Sequence, residues 1–337
     1  MVLKNIQDLT MGADPLEYCE VPNPIPQEDE LLIQVTACGV CHTELDEIEG
    51  RLPPPQLPVI LGHQVVGKII QAPSCSSFKS GDRVGVAWIY SSCGQCEYCR
   101  AGLENLCPDF KATGRDHDGG YAQYVVSKPQ FTFPIPLSLL DVQAAPLLCA
   151  GAIGYRSLKL TQLQDHQILG LAGFGASAHI VLKLAQFLYP SSKIFVFSRS
   201  PSEMEFAIEL GAHWAGAFGD PPPEKLNAVI DTTPVWLPVM TSLEYLSPGG
   251  RLVINAIRKE NSDNALLSTL DYPKHLWMEK EIKSVANVCR SDVSRLLDLA
   301  SRIPIRPEYQ EYPLQDANQA LLELKNRKIR GAKVLTF

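Results

Sequence analysis

Four cysteines fall within one short window, Cys93, Cys96, Cys99 and Cys107, in a C-x2-C-x2-C-x7-C spacing. Steps this short let one polar, glycine-containing loop wrap four thiolates tetrahedrally around a single ion, so a metal-held lobe is expected here. A zinc held by all four thiolates is closed to substrate and reads as structural. Iron–sulfur ligand runs also begin C-x2-C-x2-C and end in Cys-Pro, as Cys107-Pro108 does, but their last gap is three residues and not seven. Disulfides and inert buried thiols are the other readings. Cysteines at three-residue intervals in a polar loop are poorly placed for burial, and in a reducing compartment clustered thiols read as metal ligands.

The chain carries ten cysteines in 337 residues, and 30 Lys+Arg against 37 Asp+Glu give a formal net charge of −7. That balance lacks the basic footprint of nucleic-acid or anionic-membrane binding. No apolar stretch reaches a membrane span, and Met1 to Leu9 is polar without a signal-peptide core. A cytoplasmic location is expected. The length fits roughly two domains.

Up to about residue 130, short β-branched runs alternate with Gly/Pro punctuation at Leu31–Ala37, Val65–Ile70, Arg83–Ala87 and Tyr121–Val126, a pattern for an antiparallel, barrel-like region. From about Asp141 the texture turns Ala- and Leu-rich, helical through Gly154–Leu160. Between Gln167 and about Val288, apolar strands alternate with helices, as in a parallel α/β sheet. The expected strands are Ile168–Ala172, Lys193–Phe197, Ala228–Asp231, Arg251–Asn255 and Ile282–Ala286. The first helix of this region carries Val181, Leu184, Ala185 and Leu188 as one buried stripe. Helices over Val293–Ser301 and Leu314–Asn326 and a strand over Lys333–Thr336 complete the reading.

Gly173-Phe174-Gly175-Ala176-Ser177-Ala178 matches G-x-G-x-x-A directly after a strand and before an amphipathic helix. Glycines there permit the tight turn and a close backbone approach to a pyrophosphate, and the helix N-terminus offers free N–H groups. Read alone, the pattern also fits a plain small-residue turn; the flanking strand, helix and following βα units favour a dinucleotide. Twenty residues past Ala178 the second strand ends in Ser198-Arg199-Ser200 in place of the Asp or Glu of an NAD site. Hydroxyls and a guanidinium can hold a 2′-phosphate, which favours NADP(H). The competing reading of Arg199 is a solvated surface charge in an NAD-preferring or dual-specific site.

Cys38-Gly39-Val40-Cys41-His42-Thr43-Glu44, Leu61-Gly62-His63-Gln64, the four-cysteine window, Leu148-Cys149-Ala150-Gly151 and the glycine turn occur in the order and spacing of the zinc-dependent medium-chain alcohol dehydrogenases, which the whole chain resembles. The likeness is nearest to the bacterial branch related to cinnamyl alcohol dehydrogenases. It implies an α/β protein with a GroES-like β-barrel catalytic domain, 1–150 completed by 289–337, and a Rossmann doubly wound parallel-sheet domain, 151–288. It implies Cys41, His63 and Cys149 as ligands of a catalytic zinc, with Cys38 unligated; three donors leave the fourth corner open. Taken alone, Cys149 in its apolar run fits an inert buried thiol, and His63 fits a satisfied core histidine. By the same resemblance Thr43 bonds the substrate oxygen, a role compatible with N-capping the next helix, and Glu44 orients the histidine ligand.

Two departures stand out. Asp46 occupies the position where many relatives have the histidine that lets the proton out, and it can serve that relay with a lower intrinsic pKa. Gln64 replaces a glutamate after the zinc-binding His63, which leaves the metal site about one charge more positive.

The resemblance also implies cofactor contacts from His42, Gly173, Phe174, Gly175 and Ala176, from Ser198, Arg199 and Ser200, from Asn255, Ala256 and Ile257, and from Arg330. His42 fits an exposed turn residue as well. Trp88 falls where relatives place an aromatic wall of the substrate pocket, which favours unbranched primary alcohols; a core aromatic at a strand end is its other reading. The expected protein is a two-zinc, NADP(H)-favouring enzyme interconverting primary alcohols and aldehydes, assembled as a homodimer or homotetramer. The alternatives are an NAD-dependent alcohol dehydrogenase and a non-catalytic dinucleotide-binding zinc protein.

Overall fold

The strand Leu31–Val40 organises the first unit: Leu31, Ile33 and Val35 alternate into the core while Gln34 faces out, the period of a half-buried strand. In the computed structural model, which describes residues 1–303, 305–326 and 330–337, the chain divides into Met1–Ala152 with Val288–Phe337 and a second unit, Ile153–Asn287. The first unit's main sheet runs Thr132–Pro134, Arg83–Val86, Val65–Gln71, Leu31–Val40, Ala332–Thr336, Tyr309–Pro313. Tyr124–Ser127 pairs with the first half of Leu31–Val40, and Ala332–Thr336 pairs with its second half. All pairings are antiparallel except the last, Tyr309–Pro313 with Ala332–Thr336. The expected strands are present, Tyr121–Val126 moved to Tyr124–Ser127.

The last strand brings in Lys333, whose ammonium is buried against Glu323 Oε2 at 2.7 Å and the Tyr312 hydroxyl oxygen at 2.5 Å. Tyr312 donates to the same carboxylate at 2.6 Å. Bonds from Lys333 and Tyr312 hold the Glu323 carboxyl down at about 2. Because the folded value lies below the unfolded one, this carboxylate stabilises the fold above about pH 4.5, and the contribution disappears as pH falls towards 2. With Glu323 24% exposed, screening reduces it to on the order of 1–2 kcal/mol. The difference in Tm between the protein and its Glu323→Gln variant is therefore expected at neutral pH and to close between pH 4.5 and 2, read by thermal melts across that range.

The second unit is a six-stranded, wholly parallel sheet in the order Trp214–Gly216, Lys193–Phe197, Ile168–Ala172, Leu226–Asp231, Leu246–Ile254, Glu281–Ser284. Ile168–Ala172 is buried at every position, as a central strand covered on both faces must be. Trp214–Gly216 has no counterpart in the sequence reading; three residues are too few for a periodic signal. The helix Ala176–Leu188 buries Val181, Leu184 and Ala185 as expected, but Leu188 in its last turn is only half-buried and Ala178, Ile180 and Leu182 widen the stripe. Near the carboxy end the helix Arg290–Arg302 begins earlier than expected, because Asp292 accepts the Cys289 N–H and starts the turn. Leu314–Asn326 divides into a 3-10 turn, Leu314–Asp316, and a helix, Ala317–Lys325.

Candidate metal centres and dinucleotide site

The chain turns into the helix His42–Ile48 at Cys41, which is its N-cap, so the Thr43 hydroxyl is not used for capping. Glu44 is fully buried and divides its carboxylate: Oε2 accepts the Cys41 N–H at 2.8 Å, and Oε1 lies 2.6 Å from His63 Nδ1. A proton on Nδ1 would suit that contact and would leave Nε2, which has no hydrogen-bond partner, to serve as a ligand nitrogen. His63 reaches its place through Gly62, at φ +97°, where a Cβ would lie 2.4 Å from the Tyr121 ring. Behind it the Gly120 N–H donates to the Gly62 carbonyl at 2.8 Å. Cys149 follows the 3-10 turn Ala145–Leu148.

These elements bring the donor atoms of Cys41, His63 and Cys149 within 4.8 Å of one another. The two sulfurs are 4.0 Å apart, and Thr43 Oγ1 lies 3.6 Å from Cys41 Sγ. A zinc with Zn–S bonds of about 2.3 Å in tetrahedral geometry needs sulfurs about 3.8 Å apart. The spacing and the unpartnered imidazole nitrogen fit such an ion, and three donors leave one corner open. The bond with Cys149 holds the Cys41 thiol well below its ordinary value and pushes Cys149 well above its own. Burial acts to lower the His63 value, but the Glu44 carboxylate overrides it and raises it well above the ordinary imidazole range.

The remaining residues expected at this centre occupy varied surroundings. Asp46 is buried, and its Oδ1 accepts Arg51 Nε at 2.6 Å. Gln64 is buried beside Gly39, where a Cβ would come within 2.7 Å of its amide. His42 is exposed on the helix's first turn. Trp88 is half-buried and tilts against His63, ring centroids 6.3 Å apart. Glu47 was missed by the sequence reading. It is buried one turn beyond Glu44 with neither oxygen hydrogen-bonded, and burial together with the Glu44 charge pushes its carboxyl well up. An acidic residue on an otherwise charged helix gives no sign of facing inwards.

Cys93, Cys96, Cys99 and Cys107 bring four sulfurs within 4.8 Å of one another. Cys93 Sγ lies 3.9 Å from Cys99 and 3.5 Å from Cys107. These spacings suit the edges of a tetrahedron that could hold one ion, and they are far from a disulfide's roughly 2.05 Å. Backbone N–H groups of Gln95 and Cys96 point at the Cys93 sulfur and lower it to about 6. Burial pushes Cys107 up to about 12.

In the second unit, strand order reverses between Ile168–Ala172 and Leu226–Asp231, and the carboxyl ends of these two strands flank the crevice where such sheets bind ligands. Gly173, at φ +83°, makes the turn; a Cβ there would lie 2.7 Å from Thr232 Oγ1. A Cβ on Gly175 would meet nothing within 4 Å, so the backbone ahead of the helix N-terminus at Ala176 is open to a close approach. The Phe174 side chain turns inwards and packs edge-on against Phe206, so only its backbone is available to a cofactor.

Asn255 bonds Ser177 Oγ at 3.3 Å, Ala256 is half-buried and Ile257 is exposed. Ser198 is buried, Arg199 exposed and Ser200 half-buried. Arg330 is exposed in the first unit. The sequence reading also missed Lys259, whose ammonium binds Asp231, the Thr233 carbonyl at 2.8 Å and the Val235 carbonyl at 2.9 Å. This buried pair pins the loop that abuts Gly173.

Residues 27–137 match the alcohol dehydrogenase GroES-like domain family. A probable alcohol dehydrogenase, AdhA, of Mycobacterium tuberculosis (strain CDC 1551 / Oshkosh) is 42% identical over 331 residues, 96% of this chain and 94% of that protein. An alcohol dehydrogenase of Geobacillus stearothermophilus is 31% identical over 330 residues, 95% of each. Among solved structures, a cinnamyl alcohol dehydrogenase of Sorghum bicolor superposes with a TM-score of 0.82 at 26% identity, covering 99% of this chain and 97% of the other. A Helicobacter pylori protein solved as a complex with NADP(H) superposes with a TM-score of 0.80 at 22% identity over 92% and 90%.

Proposed function

Because the chain belongs to the zinc-type medium-chain alcohol dehydrogenase family, we propose that it interconverts unbranched primary alcohols and their aldehydes with NADP(H) as the favoured hydride carrier. The observation that carries this reading is the three-donor centre of Cys41, His63 and Cys149, open at one corner where the four-cysteine centre is closed. Two zinc ions per chain follow, held by these two sets.

Zinc at the three-donor centre supplies Lewis acidity, lowering the pKa of an alcohol and polarising a carbonyl. The chain's own residues do the rest. Glu44 holds the His63 ring in one tautomer and orientation, and Thr43 presents the hydroxyl nearest the ligand sulfurs, placed to take the substrate's proton. Asp46, paired with Arg51, is the proposed next acceptor on the way out. Trp88 forms the wall beside His63 that favours an unbranched chain. Gly173, Gly175 and Ala176 cradle the pyrophosphate through backbone, and Ser198, Arg199 and Ser200 meet the adenosine ribose.

We further infer a homo-oligomer. Glu281–Ser284 is an edge strand exposed along its length, carrying exposed Ile282 and preceded in sequence by exposed Trp277 and Met278, and its outer edge is suited to a second copy. Among the described residues no helix is long and apolar enough to cross a membrane; a cytoplasmic location accords with ten cysteines of which none is in a disulfide. The cofactor reading is tested by Arg199→Ala. Loss of a charge-assisted bond to the 2′-phosphate is expected to cost about 1–3 kcal/mol in NADPH affinity while NADH kinetics stay unchanged. Equal kinetics with both cofactors before and after the change would make the arginine a surface charge.

A further inference from the structure

The strand Lys193–Phe197 is tied to the dinucleotide turn, since the Gly173 N–H donates to the Phe197 carbonyl at 2.8 Å. The next residue, Ser198, is buried, and its hydroxyl is committed on both sides. It accepts the Ser200 N–H at 3.1 Å and donates to a carboxylate oxygen of Glu203 in a very short bond. Glu203 lies in the first turn of the helix Pro201–Glu209 and is only half-buried, so part of it remains open to solvent. Arg199, one residue past Ser198, is exposed on the same short connection. A carboxylate bonded to Ser198 and an exposed arginine one residue further along thus share the connection where a parallel sheet of this order meets the adenosine ribose.

We propose that Glu203 is a specificity-determining residue for the dinucleotide: its carboxylate accepts from a ribose 2′-hydroxyl and repels a 2′-phosphate, opposing Arg199. NAD sites of this topology hold the ribose with an acid at the strand end. Here the strand end has none, and the following helix returns one to the same spot, fixed there by Ser198. A 2′-hydroxyl brings a donor that the carboxylate satisfies. A 2′-phosphate brings acceptor oxygens and about −1.5 to −2 charges, which the carboxylate disfavours at short range. Selectivity is then the difference between an attractive and a repulsive group. The inference rests on the placement of the adenosine ribose at Ser198–Ser200 proposed above.

The test is the ratio of kcat/KM for NADPH to that for NADH in the zinc-replete enzyme, its Glu203→Gln variant and its Arg199→Ala variant, together with the Kd of 2′,5′-ADP and of 5′-AMP for each, read by isothermal titration calorimetry without turnover. Glutamine keeps one acceptor oxygen for Ser198, removes the charge and turns the other oxygen into an NH2 donor. The ratio is expected to rise about tenfold or more, with 2′,5′-ADP binding tighter and 5′-AMP, which loses the carboxylate acceptor for its 2′-hydroxyl, binding more weakly. A residue that merely caps the helix would alter both cofactors alike, so an unchanged ratio overturns the proposal. Glu203→Ala serves the same comparison if the glutamine variant fails to fold. An Arg199→Ala ratio that does not move, beside a Glu203→Gln ratio that does, overturns the phosphate-clamp reading and leaves Glu203 as the determinant.

Discussion

Replacing Cys149 by serine is expected to lower kcat/KM by about 10³-fold or more, because losing the metal's several kcal/mol of charge stabilisation costs one decade per 1.36 kcal/mol. Among the described residues no fourth thiol, imidazole or carboxylate joins the three donors: Glu44 is spent on the His63 ring and the Cys41 N–H, and Cys38 is buried outside the cluster. A serine hydroxyl stays protonated where a thiol yields a thiolate, so the site drops to two donors. Metal content is expected to fall by one ion per chain while the four-cysteine ion stays. Steady-state rates beside metal analysis check this. A variant that kept both its zinc and its rate would remove Cys149 from the ligand set.

Opening the four-cysteine centre is expected to damage the fold instead of the chemistry. The segment from Cys93 to Cys107 has only two single-turn elements, Glu97–Arg100 and Glu104–Leu106, and the first buries no side chain. With almost no apolar core of its own, the segment depends on its ion for shape. Cys96→Ser is expected to lower Tm by about 5–10 °C, the equivalent of a few kcal/mol in a unit of this size. Limited proteolysis is expected to cut first between Cys93 and Cys107. A variant with unaltered Tm and cleavage pattern would show that the lobe holds its shape without metal.

The parts of this protein legible in the sequence are those whose chemistry is local. The four-cysteine spacing and the glycine turn each occupy one loop, and the strands carry their own period, so their positions follow from short windows. The proposed catalytic ligands span 108 positions from Cys41 to Cys149, and no window joins them; only the resemblance did. Side-chain direction was least legible. Phe174 sits in a cofactor motif yet points into the core, Glu47 turns inwards from a charged helix, and Glu203 folds back onto Ser198. Each depends on which neighbour the tertiary fold supplies. The backing of Gly62 by Gly120 and the buried Asp231–Lys259 pair are likewise contacts between distant segments.

The most direct test of the account is the zinc stoichiometry of the purified chain, measured by native mass spectrometry with the oligomer's mass in the same spectrum. Two zinc ions per chain are predicted, one held by Cys93, Cys96, Cys99 and Cys107 and one by Cys41, His63 and Cys149. A single ion, present in a fully active enzyme, would contradict one of the two centres.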